Sequence, residues 1–167
     1  MTTDILLWRP AYVGLGSNLN GPAKQIDAAF DLLDTLPGSR LVARSSLYRS
    51  APFGGVEQPE FVNAVAAMLT QLDAITLLQH LKEIERKRGR ERGEARWGPR
   101  VIDLDLLVYS GEVIDQPEFT LPHPGIAERN FVLLPLRELA PDLDIPGLGR
   151  VATISVNEQE PRIERIA

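Results

Sequence analysis

The sequence predicts an α+β domain with a ferredoxin-like βαββαβ core, in which helices pack on one face of a mainly antiparallel sheet. Three observations lead to this prediction. Apolar residues follow strand and helix periods in the order β-α-β-β-α-β along the chain. The length of 167 residues and the hydrophobic content of 44% suit one domain with its own core. No repeat, low-complexity linker or composition break divides the chain.

The first elements are a strand, a helix and a second strand. Residues 11–16, AYVGLG, have the composition of a strand that ends on glycines. Residues 22–36 carry apolar side chains at helical spacing, and Pro22 suits the first helical position. Residues 41–49, LVARSSLYR, are typical of a strand.

The middle of the chain contains a loop, a strand and the clearest helix. Residues 50–60 are rich in turn formers, and residues 61–70, FVNAVAAMLT, form the next strand. The helix at 74–88 has an apolar face, with Asp73 as a candidate N-cap and Gly89 as its end.

The last third begins with a loop that contains three glycines, residues 89–100, which we expect to be mobile. A strand follows at 101–109, then an extended segment at 119–124. Residues 131–139 form a short helix, and Pro135 must lie in its first turn or break it.

Two aspartates interrupt the apolar strand at 101–109. Alternate strand residues point to the same side, so one face is wholly apolar and the other includes Asp103 and Asp105. The alternation places five residues on the acidic face: Val101, Asp103, Asp105, Leu107 and Tyr109. Neighbouring carboxylates repel each other, and a hard cation such as Mg²⁺ removes that repulsion. A solvated strand face is the alternative, although aspartate has poor strand propensity.

Arginines precede this strand. Residues 82–100 hold eight basic and four acidic residues, whereas the whole chain has a net charge of −5. Arginine binds phosphate with paired hydrogen bonds, so the loop and the aspartates together suggest a metal–polyphosphate site. Trp97 lies among these arginines and could help to close a lid. A solvated helix end with internal ion pairs explains the charge equally well.

Other residues suggest a second ligand. Phe61 and Asn63 are two apart on one strand, so the ring of Phe61 and the amide of Asn63 face the same way. A flat heterocycle would use both, the ring for stacking and the amide for hydrogen bonds along its edge. His123 lies between two prolines on a stiffened loop. The segment GLGSNLNGP lacks the lysine and hydroxyl residue of a phosphate-binding P-loop. Gly14 and Gly16 instead mark a close approach of the backbone to a ligand or another strand.

The composition limits the cellular context. No apolar run is long enough for a membrane span or a signal-peptide core, so we expect a cytoplasmic protein without a membrane partner. The absence of cysteine excludes disulfides and thiolate metal sites.

Four segments together resemble the hydroxymethyl-dihydropterin pyrophosphokinases, a family of folate-pathway enzymes. They are GSNL after the first strand, SAPFGGVEQPEFVNAV, RWGPRVIDLDLL and LPHPGIAERNFVLLPL. The resemblance runs from about Ala11 to Pro146. It leaves residues 1–10 as an N-terminal extension and residues 147–167 as a C-terminal tail of one domain, 1–167.

The resemblance implies that the hydroxyl of hydroxymethyl-dihydropterin attacks the β-phosphorus of ATP, so that AMP leaves. It implies two Mg²⁺ ions held by Asp103 and Asp105, and catalytic roles for Arg90, Arg100, Asp103, Asp105 and His123. It places Lys82, Glu85, Arg92, Trp97, Thr120 and Arg129 at the nucleotide. It places Gly16, Ser50, Phe53, Phe61, Asn63 and Phe131 around the pterin. ATP and the pterin are the expected partners of a monomer that binds no nucleic acid.

The chain departs from the family pattern at four positions. Phe61 replaces a common tyrosine, which removes a hydroxyl but keeps the stacking surface. Pro124 follows His123 where relatives often have tyrosine, Ala51 replaces a frequent proline, and Lys82 a frequent glutamine. These differences bear on nucleotide affinity and loop rigidity, and they leave the reaction unchanged.

Three other classes fit parts of the sequence. An RNA-binding module would share the βαββαβ layout, but the strands lack its aromatic pattern and the chain is acidic. A haloacid-dehalogenase-type phosphatase would carry its paired aspartates in a loop near the N-terminus. A regulatory ferredoxin-like domain would not need the combination of arginines and aspartates.

Overall fold

The computed structural model describes residues 7–52, 57–89 and 101–167. Ten strands lie in these ranges: β1 (Arg9–Ser17), β2 (Ser39–Arg44), β3 (Tyr48–Ser50), β4 (Phe61–Thr70), β5 (Asp103–Tyr109), β6 (Ile114–Gln116), β7 (Phe119–Leu121), β8 (Asp144–Ile145), β9 (Gly149–Arg150) and β10 (Ile163–Arg165). The helices of these ranges are α1 (Pro22–Asp34), α2 (Ala74–Lys87) and α3 (Asn130–Leu139), with a 3₁₀ turn at Val151–Thr153. No described helix has the length and apolar character needed to cross a bilayer.

The described part of the chain forms a mixed α/β fold around an antiparallel sheet in the order β10-β3-β4-β1-β5. The long strand β4 pairs with the whole length of β1, from Thr70 opposite Arg9 to Val62 opposite Ser17. Its other edge pairs with β2 at one end and with β3 at the other. Strand β5 borders β1 and forms the edge of the sheet.

Helices pack on both faces of the sheet, which corrects the prediction of helices on one face. The larger core lies between the sheet and the apolar stripes of α1 and α2, for example Phe30 and Leu81. Helix α3 covers the opposite face with Leu133 and Leu136, which pack with Val65 of β4. Apolar residues on both faces of the central strands are therefore buried under helices. Helices on one face alone would leave the apolar side chains of the other face exposed to solvent.

A β-bulge in β5 corrects the predicted alternation. Consecutive residues of β1 pair with Leu106 and with Val108, so Leu107 is an extra residue in the ladder. Leu107 and Val108 both pack into the core under α3, and Tyr109 turns into the core under α1 and α2. The prediction that Tyr109 shares the face of the two aspartates is therefore wrong. The bulge lies after the aspartates, so it leaves their alternation intact.

The predicted strand at 41–49 is two strands. Ser45 separates β2 from β3: its N–H donates to the Val65 carbonyl at 2.9 Å, and its Oγ accepts from the Val65 N–H at 2.8 Å. The side chain thereby replaces a regular ladder bond and lets the edge change direction.

Helix α3 contains Pro135 in its second turn, not its first, and the helix is not broken there. Pro135 removes one helical N–H. The flanking residues Leu133 and Leu136 are fully buried, and this burial outweighs the missing hydrogen bond.

Candidate active site

Strands β4 and β5 present polar groups on the sheet face that α3 covers in part. Asp103 and Asp105 alternate with Leu104 and Leu106, which pack into the core under α1 and α2. Both aspartates therefore lie on the opposite face, half-buried, with Cα atoms about 7 Å apart. This places two neighbouring carboxylates at the edge of the second face.

Glycines of β1 leave a gap beside these carboxylates. Gly14 pairs with Asp105, and Gly16 pairs with Asp103 on one side and with Asn63 on the other. A Cβ at Gly16 would lie 3.0 Å from Asn63 Oδ1, which is tighter than an ordinary contact. The absence of a side chain at Gly16 therefore leaves a groove between the amide of β4 and the carboxylates of β5.

Asn63 is held in one orientation. Its side chain is 6% exposed, and Nδ2 donates to Ser50 Oγ at 2.9 Å. Ser50 pairs with Phe61, the half-buried first residue of β4, which shares the face of Asn63. The amide oxygen of Asn63 and the ring of Phe61 thus border the same groove, as their spacing of two residues predicts.

The loop before Phe61 is tied to the turn after β1. Asn18 is buried, and its Nδ2 donates to Gln58 Oε1 at 2.9 Å and to the Pro59 carbonyl at 3.0 Å. Asn18 comes from the GSN segment, so this segment anchors one wall of the groove.

A buried carboxylate from α2 lies at the outer edge of β5. Glu85 is 2% exposed, and its Oε2 accepts from the Leu104 N–H at 3.0 Å. Burial, together with a hydrogen bond and the charge of Asp103, raises the pKa of Glu85 to about 7. Lys82 Nζ lies 3.6 Å from Glu85 Oε1 and opposes that shift. Acidic and basic groups therefore meet where β5 begins.

A cleft of about 240 Å³ runs along this edge, between α2 and the segment that contains β7. Polar residues that line it include Lys82, Asp105, Thr120 and His123. Leu78 and Phe119 supply an apolar wall. The cleft therefore combines an apolar surface with a cation, a carboxylate and two hydrogen-bonding groups, as a nucleotide requires.

His123 is a fixed hydrogen-bond donor. Its backbone N–H donates to the Leu107 carbonyl at 2.8 Å, and Nδ1 accepts from the Gly125 N–H at 2.9 Å. The proton of the neutral ring must then lie on Nε2. Burial lowers the pKa of His123 to about 4, and the positive charge of Arg129 adds to the shift. The ring is therefore neutral at pH 7.

Arg129 and Phe131 flank the start of α3. The guanidinium of Arg129 lies over Gly125, where a Cβ would be 2.8 Å from its Nε. Phe131 is half-buried against the core under α3. Gly125 thus positions both His123 and Arg129. The sequence assigned no role to Gly125, although this glycine lies inside LPHPGIAERNFVLLPL, one of the segments that resemble the family.

The structure brings together most of the described residues predicted for the site. Gly16, Asn63, Asp103 and Asp105 share the groove, and Ser50 supports it. Lys82, Thr120 and His123 line the cleft. Five predicted residues lie outside the described ranges: Phe53, Arg90, Arg92, Trp97 and Arg100.

The described residues offer Asp103 and Asp105 as neighbouring candidate metal ligands. Within residues 7–52, 57–89 and 101–167, no group of three or more histidine, aspartate or glutamate side chains is arranged to hold a metal ion. The two aspartates suit a hard cation that takes its remaining ligands from phosphate or water.

Comparison with protein families gives one match over most of the chain. Residues 12–141 match the model of the family described as 7,8-dihydro-6-hydroxymethylpterin-pyrophosphokinase. A Pseudomonas aeruginosa 2-amino-4-hydroxy-6-hydroxymethyldihydropteridine pyrophosphokinase is 50% identical over 135 residues, which cover 81% of this chain and 83% of that protein. The Haemophilus influenzae protein of the same name is 46% identical over 136 residues, with 81% and 84% covered.

Solved structures show the same fold at low sequence identity. The crystal structure of wild-type Plasmodium falciparum HPPK-DHPS superposes with a TM-score of 0.71 at 14% identity, covering 91% of this chain and 45% of that chain. A structure titled as HPPK-DHPS in complex with substrates gives a TM-score of 0.69 at 12% identity, covering 88% and 42%. The chain therefore spans about half the length of these solved chains.

Proposed function

The chain belongs to the 7,8-dihydro-6-hydroxymethylpterin-pyrophosphokinase family and is an ATP-dependent diphosphotransferase of folate biosynthesis, and we propose that the groove and cleft beside β5 are its active site. One observation carries this assignment. Asp105 borders the groove through its pairing with Gly14 and also lines the cleft at the sheet edge. A ligand in the groove and a ligand in the cleft would therefore meet beside Asp103 and Asp105.

The pterin occupies the groove. Its flat ring stacks between Phe61 and Phe131, which lie on the same sheet face, while Asn63 bonds the ring edge. Ser50 fixes the amide of Asn63, and the bare backbone of Gly16 makes room for the ring. Phe53, from outside the described residues, completes the pocket in this proposal.

ATP occupies the cleft. Leu78 and Phe119 contact its apolar surface, and Lys82 and Thr120 hydrogen-bond the nucleotide. Glu85 fixes the start of β5 through the Leu104 N–H and keeps Lys82 oriented. Arg129 and His123 reach the phosphates, with Nε2–H of His123 as a neutral donor to a phosphate oxygen. The residues Arg90, Arg92, Trp97 and Arg100, which lie outside the described ranges, are assigned to the nucleotide and its phosphates in this proposal.

Asp103 and Asp105 hold two Mg²⁺ ions in this proposal. Two neighbouring carboxylates on a half-buried face fit cations that also bind phosphate oxygens. Bound Mg²⁺ supplies charge neutralisation at the phosphates and makes the pterin hydroxyl easier to deprotonate.

The reaction is a displacement at the β-phosphorus of ATP. The hydroxyl oxygen of the pterin forms a bond to the β-phosphorus, and the bond from that phosphorus to the oxygen bridging the α- and β-phosphates breaks. AMP leaves with the electron pair, and the hydroxyl proton passes to water or to Asp105. Positioning and charge stabilisation are the main contributions of the protein.

Incubation with ATP, Mg²⁺ and reduced hydroxymethylpterin tests the proposal. We expect AMP in equal amount to the pterin diphosphate, and no ADP. The Asp105→Asn variant should keep its melting temperature and lose at least about a thousandfold in kcat, because it removes a charge that acts on the phosphates. Near-normal turnover of Asp105→Asn at saturating Mg²⁺ would contradict the assigned role.

Finer statements on topology, oligomeric state, location and partners complete the proposal. We interpret the order β3-β4-β1-β5, with α1 and α2 as connections, as a ferredoxin-like core. We expect a monomer that acts in the cytoplasm, where ATP is supplied, without a nucleic-acid or membrane partner. Light scattering after size-exclusion chromatography measures the mass, for which 18.5 kDa is the monomer value.

A further inference from the structure

The C-terminal tail returns to the sheet beside the groove. Its end pairs as β10 with β3, so that Ile163 lies opposite Ser50. Three further backbone bonds extend this pairing: Ala51 N–H donates to Arg162 O at 3.0 Å, Leu47 N–H donates to Ala167 O at 2.9 Å, and Ile166 N–H donates to Leu47 O at 2.9 Å. The family model ends at residue 141, so this segment lies beyond the matched region.

Asn130 connects the same tail to α3. It is the first residue of the helix and is 0% exposed. Its Nδ2 donates to the Asn157 carbonyl at 3.0 Å and to the Pro161 carbonyl at 2.7 Å. Both amide hydrogens are therefore used on the tail backbone. The Oδ1 atom is buried without a hydrogen-bond partner in the described part of the chain.

Burial of Asn130 Oδ1 without a hydrogen bond to any described residue lowers the stability of the folded chain. Aspartate of the same shape would place oxygens against both tail carbonyls, and an apolar residue would leave the carbonyls bare. The two donated hydrogen bonds are therefore the property that an asparagine side chain supplies here.

The tail contacts two different walls of the proposed pterin pocket. On one side, β10 supports β3, whose Ser50 accepts the hydrogen bond from Asn63. On the other side, the tail is bound by Asn130, the residue immediately before Phe131. Strand β3 has only three residues, so β4 alone gives it little support.

We propose that the tail from residue 157 onward is a strap that fixes the spacing of the pterin pocket, and that Asn130 is the positioning residue through which it acts. The inference rests on the proposed placement of the pterin between Phe61, Asn63 and Phe131. Asn130 acts through its neighbours and makes no contact with the reacting atoms in this proposal.

A second attachment of the tail supplies a matched control. Arg137, seven residues later on α3, donates from Nη2 to the Ile154 carbonyl at 2.7 Å and pairs with Glu158 at 3.3 Å. The two attachments are about 10 Å apart along the helix. Loss of the Arg137 contacts loosens the tail at Ile154 and Glu158, whereas loss of the Asn130 contacts loosens it at Asn157 and Pro161, beside Phe131.

The experiment compares Asn130→Asp and Asn130→Ser with Arg137→Gln, using full-length protein at 15 °C. Calorimetry measures the Kd of reduced hydroxymethylpterin with Mg²⁺ and α,β-methylene-ATP present, and separately the Kd of that nucleotide. Thermal melting records the stability of each variant. Asn130→Ser keeps a single donor, so it supplies the same comparison should the aspartate variant fail to fold.

We expect the Asn130 variants to raise the pterin Kd about tenfold and the nucleotide Kd less than about twofold. Arg137→Gln should lower the melting temperature and leave both Kd values within about twofold. A wild-type pterin Kd in folded Asn130 variants would overturn the inference, as would an equal rise in Arg137→Gln. If the wild type binds no pterin, the proposed function fails, and the positioning role fails with it.

Discussion

Substitution of Gly16 by alanine tests the groove directly. The added Cβ would lie 3.0 Å from Asn63 Oδ1, whereas ordinary contacts begin at 3.4 Å. The amide must therefore move by roughly 0.4 Å. Gly16 and Ser50 lie on opposite sides of β4, so this shift pushes the amide toward β3 and distorts its 2.9 Å hydrogen bond to Ser50.

The expected loss follows from that hydrogen bond and from the narrowed groove. A net intramolecular hydrogen bond contributes about 0.5–1.5 kcal/mol, so we expect the pterin Kd to rise about tenfold. Folding should be little affected, because Gly16 has no left-handed backbone that would strain alanine, and alanine is favoured over glycine in a strand. The nucleotide Kd should stay within about twofold.

Calorimetric titration with reduced hydroxymethylpterin measures the effect, with Gly14→Ala as the matched control. A Cβ at Gly14 would lie 3.4 Å from the Leu107 side chain, an ordinary contact, so that variant should keep the pterin Kd within about threefold. In an Asn63→Ala background, Gly16→Ala should add little further loss. An undiminished effect in that background, or an unchanged Kd in the single variant, would refute the reasoning.

Three other predictions concern different parts of the molecule. Gly125→Ala would place a Cβ 2.8 Å from Arg129 Nε and displace that guanidinium, so we expect kcat for AMP formation to fall about tenfold or more. A wild-type kcat would contradict the position assigned to Arg129 at the phosphates. Burial lowers the pKa of His123 from 6.5 to about 4, so the unfolded chain binds more protons between these values and stability should fall as pH drops through that window. Urea unfolding at pH 5 and 7.5 should show a smaller fall for His123→Gln; equal falls would argue against a neutral buried ring. Asp73→Ala removes the N-cap bond to the Thr76 N–H and should cost about 1 kcal/mol in urea unfolding, with an unchanged pterin Kd, whereas no loss of stability would show that α2 does not need this cap.

The sequence predicted the elements whose patterns are local. The helix at 22–36 is α1 at Pro22–Asp34, and the helix at 74–88 is α2 at Ala74–Lys87, capped by Asp73 as expected. Apolar spacing and a capping residue lie within a few positions of one another, so they are visible without knowledge of the fold. The chemistry suggested by the paired aspartates of β5 was visible for the same reason.

Contacts between distant segments were not predictable in this way. The bulge at Leu107, the division of the predicted strand at Ser45, and the packing of α3 on the second face depend on pairing with residues far along the chain. A single-sequence pattern gives the period of an element, but it does not say which neighbour completes the element's hydrogen bonds.

By itself, the sequence determined which residue types were available and, where a strand is regular, which side they face, as for Asp103 and Asp105. Tertiary structure alone decided that Gly16 lies between Asn63 and Asp103, that the Gly125 N–H fixes the tautomer of His123, and that Asn130 holds the tail. The physical reason is that a side chain's orientation follows from its own backbone, whereas its hydrogen-bond partner depends on where the rest of the chain has folded.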